Sequence, residues 1–194
     1  METVIGLKGK DYVMLAADTM LAKNIYFLRD NCSKIRVLSS NSMVGVIGNE
    51  GDSTKFADFI ATRVSLYEIA NGYSMDTPIV IHFARQHLLS SLASRIKFVV
   101  SMLVACFDMK RGANLCYIDS KGALQYLNYS GQGIGHSVSM SIFHTMWKPD
   151  LSIEDGLAII FLLDKSGVRK LESFCPQPVP DQIFPQRLIP DALK

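Results

Sequence analysis

Several groups of residues in this chain have the types and spacings that chemistry needs. The first is the opening stretch Thr3-Val-Ile-Gly-Leu-Lys-Gly-Lys-Asp-Tyr-Val-Met-Leu-Ala-Ala-Asp18, where apolar runs from Val4 to Leu7 and from Tyr12 to Ala17 flank the turn Gly9-Lys10-Asp11. Two such runs around a Gly-containing turn predict a β-hairpin. The second run is apolar at nearly every position, which predicts burial on both faces. A hairpin this early places the start of the chain inside a sheet. One class of hydrolase uses its N-terminal residue as nucleophile, with its own α-amine as base. Whether this chain can do so is the central chemical question.

The other candidates carry less. Gly131-Gln-Gly-Ile-Gly135 has the look of a phosphate loop, but it is not G-x-G-x-x-G and no Lys-Ser/Thr follows it. Close backbone packing at a helix entrance is the expected role. His82 and His87 are five residues apart on a predicted helix and point in different directions, so they do not pair on a metal. His136 and His144 have no Cys or carboxylate cluster beside them, and all four histidines are expected at the surface or in ordinary packing. The cysteines (Cys32, Cys106, Cys116, Cys175) are scattered without C-x-x-C spacing, which predicts reduced thiols rather than a disulfide framework. No metal and no cofactor is expected.

The elements that would position these residues follow from composition and pattern. The 194 residues are 48% hydrophobic and 20% charged, the balance of one globular domain. A net charge of +2, without clusters of Lys or Arg among aromatics, gives no nucleic-acid footprint. The longest apolar stretch, Phe98 to Phe107, falls short of the roughly 20 residues of a membrane span. Met1-Glu2 before a strand lacks the form of a signal peptide, so a soluble intracellular domain is expected.

After the first hairpin, Thr19 to Asn24 is expected to be irregular and Ile25 to Leu28 a short strand. Lys34–Leu38 and Met43–Ile47 are strands joined by a tight turn at Ser39–Ser42. Asp52 or Ser53 would cap a helix carrying Phe56, Phe59, Ile60, Val64 and Tyr67 inward, stopped by Asn71-Gly72. Thr77-Pro78 opens a second helix to about Arg95, with Ile79, Phe83, Leu88, Leu89 and Leu92 on its apolar positions. These two helices should cover one sheet face. Val99–Phe107, Asn114–Ile118 and Leu124–Leu127 are strands, and a third helix spans about Gly135 to Trp147 with Val138, Ile142, Phe143 and Met146 inward. Leu157–Leu163 is ambiguous by periodicity. The following Asp164-Lys-Ser-Gly167 turn and Val168–Leu171 favour a β-hairpin there. The tail from Ser173 holds five of the seven prolines and should be extended. Segregated strands and helices give an α+β class with two stacked sheets and helices outside.

In this order of elements the sequence resembles the β-type subunits of the 20S proteasome. The resemblance is carried by Thr3–Leu7, Val13–Asp18, Lys34-Ile35, Gly48-Asn-Glu-Gly-Asp52, Leu103–Asp108, Leu115–Asp119, Lys148–Ser152 with Glu154–Leu157, and Asp164–Val168, in family order to about Phe174. Within the family the chain is most similar to the non-catalytic type at the fourth position of the β ring. The resemblance implies a four-layer αββα sandwich of the N-terminal-nucleophile hydrolase type over residues 1–174, followed by the proline-rich tail 175–194. It implies partners as well: neighbouring β subunits in a seven-membered ring, α-ring subunits and the opposite β ring, in the cytoplasm and nucleus. The same match aligns the catalytic aspartate and lysine of active relatives with Asp18 and Lys34, the assisting serine with Ile134, and the nucleophile with Glu2. Thr3 is one place too late, and its register would turn it to the opposite sheet face.

In triad-type enzymes, loss of the nucleophile alone costs about a millionfold in rate. No catalytic residue is therefore expected, and the Lys34–Asp18 pair should be structural. An active N-terminal-threonine peptidase is the alternative, and a free-standing sandwich domain with an unknown ligand is a third. Two departures from the family stand out. The Asp164-Lys-Ser-Gly167 turn arrives so early that the late helix should be truncated, leaving Ile159–Leu163 to be covered by the tail or by a neighbour, unless splicing altered the chain there. The tail interleaves prolines with Ile183, Phe184, Leu188, Ile189 and Leu193, which suits either an arm anchoring in a partner's groove or plain disorder.

Overall fold

The computed structural model describes residues 2–23, 26–29, 31–95, 97–108 and 111–163. In chain order these form β1 (Thr3–Lys8), β2 (Val13–Ala17), β3 (Leu21–Lys23), β4 (Tyr26–Arg29), β5 (Ile35–Ser39), β6 (Ser42–Gly48), α1 (Glu50–Asn71), α2 (Thr77–Ala93), β7 (Val100–Asp108), β8 (Gly112–Ile118), β9 (Leu124–Leu127), β10 (Tyr129–Gly133), α3 (His136–Met146) and α4 (Ile153–Leu163). A five-stranded antiparallel sheet has the order β5-β6-β7-β8-β9, a three-stranded one the order β10-β1-β2, and β3 pairs with β4.

The long apolar runs have a simple cause: the central strands are covered on both faces. On β7 the alternate residues Val100, Met102, Val104 and Cys106 pack under α1 and α2, together with Phe56, Ile60, Val64, Val80 and Leu88. The intervening Leu103 and Ala105 face the other sheet and meet Val4, Val13, Leu15 and Leu115. On β1 and β2, the residues turned away from that inter-sheet layer (Ile5, Leu7, Met14, Ala16), with Tyr12 just before β2, pack on Phe143 of α3 and Ile159 of α4. Side chains alternate with period two along every strand. Three apolar layers therefore stack between helices, sheet, sheet and helices, the expected αββα arrangement.

Several elements differ from expectation. Leu21–Lys23, expected to be irregular, is the strand β3, pairing with β4 across a register shift at Leu21/Ala22. Tyr129–Gly133, to which the sequence pattern assigns no strand, is the strand β10, held by β1 from Thr3↔Gly133 to Leu7↔Tyr129. Helix α1 starts at Glu50 rather than after Asp52 or Ser53, because the Asn49 carbonyl already accepts the N–H groups of both, each at 2.9 Å. Its αL stop at Gly72 is as expected, with φ 75° and the N–H donated to Glu68 O. Ile79 of α2 and Val138 and Met146 of α3 are exposed rather than inward.

Leu157–Leu163 is helical, not half of a hairpin. Ser152 caps α4: its Oγ accepts from Asp155 N (3.1 Å) and donates to Asp155 Oδ2 (2.8 Å), and the acidic first turn suits the helix dipole. This start signal prevails over an apolar run that fits either state. The helix continues to Leu163, so up to that point the expected truncation is not seen, and Ile159 is buried against β1 and β2. The Asp164–Leu171 hairpin and the proline-rich tail lie outside the described residues.

Candidate functional site

The trench that the resemblance marks as the reactive one lies where β1 begins, beside the end of β2 and the start of β5. Lys34 has its side chain 4% exposed and pairs with Asp18, which is 23% exposed, at 2.7 Å from Nζ to Oδ1. The same ammonium donates to the backbone carbonyls of Asp18 (3.1 Å) and Met20 (2.8 Å). An ammonium has three N–H donors, and here each has an acceptor. Asp18 Oδ1 accepts a second bond from Thr3 N at 2.7 Å, and Asp18 N donates to Thr3 O at 3.1 Å. The pair thus ties together the first residues of β1, the end of β2, the segment leading to β3 and the start of β5.

Glu2 and Thr3 point to opposite sides, as the period-two register expects. Thr3 Oγ1 accepts from Gly135 N (3.2 Å) at the entrance to α3. The half-buried Glu2 reaches β6 instead, where Gly48 N donates to its Oε2 at 3.4 Å. Glu2 O accepts from Ile134 N at 3.0 Å. Gly133 makes this docking possible. It has φ 87°, and a Cβ there would lie 1.8 Å from Glu2 O, closer than any side chain allows. The glycine-rich segment Gly131–Gly135 is therefore close backbone packing against the first residues of the chain, as expected. Ile134 turns its side chain to solvent, 66% exposed.

The space beside Glu2 and Lys34 is also lined by Cys32, Ser33, Arg36 and Thr54, and its volume is about 10 Å³. That is room for about one water. Arg36 is engaged outside it, its Nε bonded to Asp58 of α1 at 2.8 Å. No local signal in the sequence marks the Glu2–Gly48 contact, which joins residues 46 positions apart.

The remaining candidates do not converge on this trench. His87 stacks on Phe59 with ring centroids 4.0 Å apart, and burial together with the Arg63 guanidinium holds it below the usual histidine range. His82 is exposed. His136 Nδ1 contacts Gly131 O and His144 Nδ1 the Tyr129 hydroxyl, both on α3. Cys32 is half-buried, whereas Cys106 and Cys116 are buried thiols. Burial pushes Cys116 up to about 12, against smaller opposing effects of a Tyr126 hydrogen bond and the Lys8 charge. Among the described residues no three His, Cys, Asp or Glu side chains converge as a metal site would require, and no helix is long and apolar enough to cross a membrane.

The comparison with known proteins agrees with this geometry. The family model for proteasome subunits matches residues 1–163. The chain is 28% identical to proteasome subunit beta type-4 of Saccharomyces cerevisiae, over 91% of this chain and 100% of the relative. It is 32% identical to proteasome subunit beta type-2-A of Arabidopsis thaliana, over 82% and 78%. To proteasome subunit beta type-2 of Oryza sativa subsp. japonica it is 30% identical, over 82% and 75%. By its layered fold and by this match over most of its length, the chain belongs to the proteasome subunit family.

Proposed function

We propose that this chain is a non-catalytic β-type subunit whose work is to build the proteolytic chamber. It takes a place in a seven-membered β ring, against neighbouring β subunits, an α ring and the opposite β ring, in the cytoplasm and nucleus. One observation carries the reading. The side chain presented to the trench beside Lys34 and Asp18 is the carboxylate of Glu2, and each Lys34 donor already has an acceptor. A carboxylate there cannot act as the hydroxyl whose proton the α-amine would take. Its Oε2 instead accepts from Gly48 N at 3.4 Å.

The test uses the assembled particle. It is treated with a peptide electrophile that needs both the hydroxyl and the free amine of an N-terminal threonine, and each subunit is then weighed by mass spectrometry. Companion subunits gain the adduct mass while this chain keeps its own. A stoichiometric adduct on this chain would overturn the reading and restore the peptidase alternative.

A further inference from the structure

Along β1 the residues facing the other sheet are Val4, Gly6 and, at the strand's end, Lys8. Lys8 is half-buried at this inter-sheet position. Among the described residues its ammonium has no hydrogen-bond acceptor and no carboxylate within ion-pair distance, the ion pairs being Lys34–Asp18 and Arg36–Asp58. It opens on a cavity of about 380 Å³, at the seam where the chain crosses from β9 to β10. The cavity is lined besides by Asn114, Tyr126 and Asn128, with an apolar part that includes Leu115 and Met140. Asn114 spends one amide N–H on Gly112 O. Tyr126 is 58% exposed, and burial together with the neighbouring Cys116 thiol holds its hydroxyl above the usual tyrosine range.

No counter-charge comes from the neighbouring stretch of the chain: from Ala123 to Trp147 the sequence has no Asp or Glu, and the other charge that acts on the Tyr126 hydroxyl is Arg111, a second cation. A cation drawn in between two sheets without a counter-ion is unfavourable, and this seam supplies none. The cavity is at the small end of ligand-sized pockets, which run to about 300–1,000 Å³. Such a volume suits one or two side chains better than an extended ligand.

We infer that this cavity is a socket for a neighbouring proteasome subunit, which inserts a carboxylate side chain to pair with Lys8 while an adjacent apolar residue packs on the apolar part at Leu115 and Met140. This rests on the subunit reading above and names the chemistry of one of its contacts. Complementary charge at such a contact fixes register and excludes wrong partners more than it adds affinity, which suits a ring of similar but distinct subunits.

The assembled particle is first purified and the chain identified in it. It is then treated with a carbodiimide, which joins an amine to a carboxylate in contact with it, and the peptides are mapped by mass spectrometry. The expected product joins Lys8 to an Asp or Glu of another subunit. Particles carrying Lys8→Arg should incorporate normally but lose that product, because guanidinium does not couple. Lys8→Glu should lower incorporation in competition with wild type by about tenfold or more. Absence of the chain from the particle would remove the subunit assignment and this inference together. If the chain is present, Lys8 freely acetylated by an amine reagent would show a solvated lysine and overturn the socket alone. Coupling of Lys8 only to its own chain, or no coupling at all, would do the same.

Discussion

If the Lys34–Asp18 pair holds structure together, its removal should show in stability, with a particular asymmetry. Asp18→Ala leaves an ammonium that is 4% exposed with two carbonyls and no counter-ion. Orphaning a buried charge costs about 3–5 kcal/mol. Water reaches the 23%-exposed Asp18 position, so about 2–4 kcal/mol is expected here. Lys34→Met removes the charge itself. It strands the Asp18 and Met20 carbonyls, while Asp18 keeps its bond from Thr3 N and its contact with water. That loss is about 1–3 kcal/mol. The double variant has no orphaned charge, so it should be no less stable than Asp18→Ala alone. The single effects should then exceed the double effect by at least about 1 kcal/mol.

Equilibrium urea unfolding of the full chain can be followed through Trp147, the only tryptophan, whose Nε1 donates to Lys8 O at 2.8 Å. Additivity within about 0.5 kcal/mol would refute the coupled knot. So would a neutral Lys34→Met variant, which would return the pair to a chemical role.

Other perturbations test the surrounding structure. Gly133→Ala puts a Cβ 1.8 Å from Glu2 O on a backbone of φ 87°, and it should cost at least about 2 kcal/mol in the same unfolding assay. Ser152→Ala removes the α4 cap and should cost about 1 kcal/mol, whereas Ser152→Gly should cost only a few tenths. His87 is held below the usual histidine range by burial and by Arg63, so the folded chain favours the neutral ring. Its contribution is fully present above about pH 6.5, where the unfolded chain is also neutral. It declines as pH falls further and levels off below the folded value. His87→Phe keeps an aromatic stack on Phe59 and should flatten this part of the urea-midpoint profile; an unchanged slope would count against the assignment.

How much could be seen in the sequence depended on whether the decisive contacts were local. The β1–β2 hairpin and β7 were legible because burial on both faces writes uninterrupted apolar runs. The end of α1 was legible because Gly72 supplies the αL turn itself. Strand β10 was not, since Tyr-Ser-Gly-Gln-Gly has neither alternation nor β-branched residues. It is a strand because β1 offers a free edge and the small residues let α3 and Glu2 come close. The same closeness overturns the expectation for one residue of α3, Val138, while Phe143 and Ile142 pack inward as expected. A Cβ at Gly131 would lie 2.0 Å from Ser139 Oγ, so the inward helix face carries a serine there, and Val138 turns outward. At the site, residue identities were readable but not the direction of Glu2 or the saturation of Lys34, which depend on carbonyls brought together by three separate segments.

That saturation is why the aspartate and lysine alone are a poor sign of activity. Both have structural contacts here that a nucleophile does not enter: Asp18 accepts the first N–H of β1, and Lys34 accounts for two carbonyls that would otherwise be stranded. Restoring the hydroxyl should therefore not restore the enzyme. A Glu2→Thr chain made with a cleavable leader, so that residue 2 becomes the free N-terminus, can be built into particles and exposed to the threonine-directed electrophile. Lys34 has no donor left to hold the new hydroxyl. The variant chain should remain unlabelled while its companions react. Labelling at the companions' rate would mean that Lys34 gives up a carbonyl easily, and that Glu2 alone keeps this trench silent.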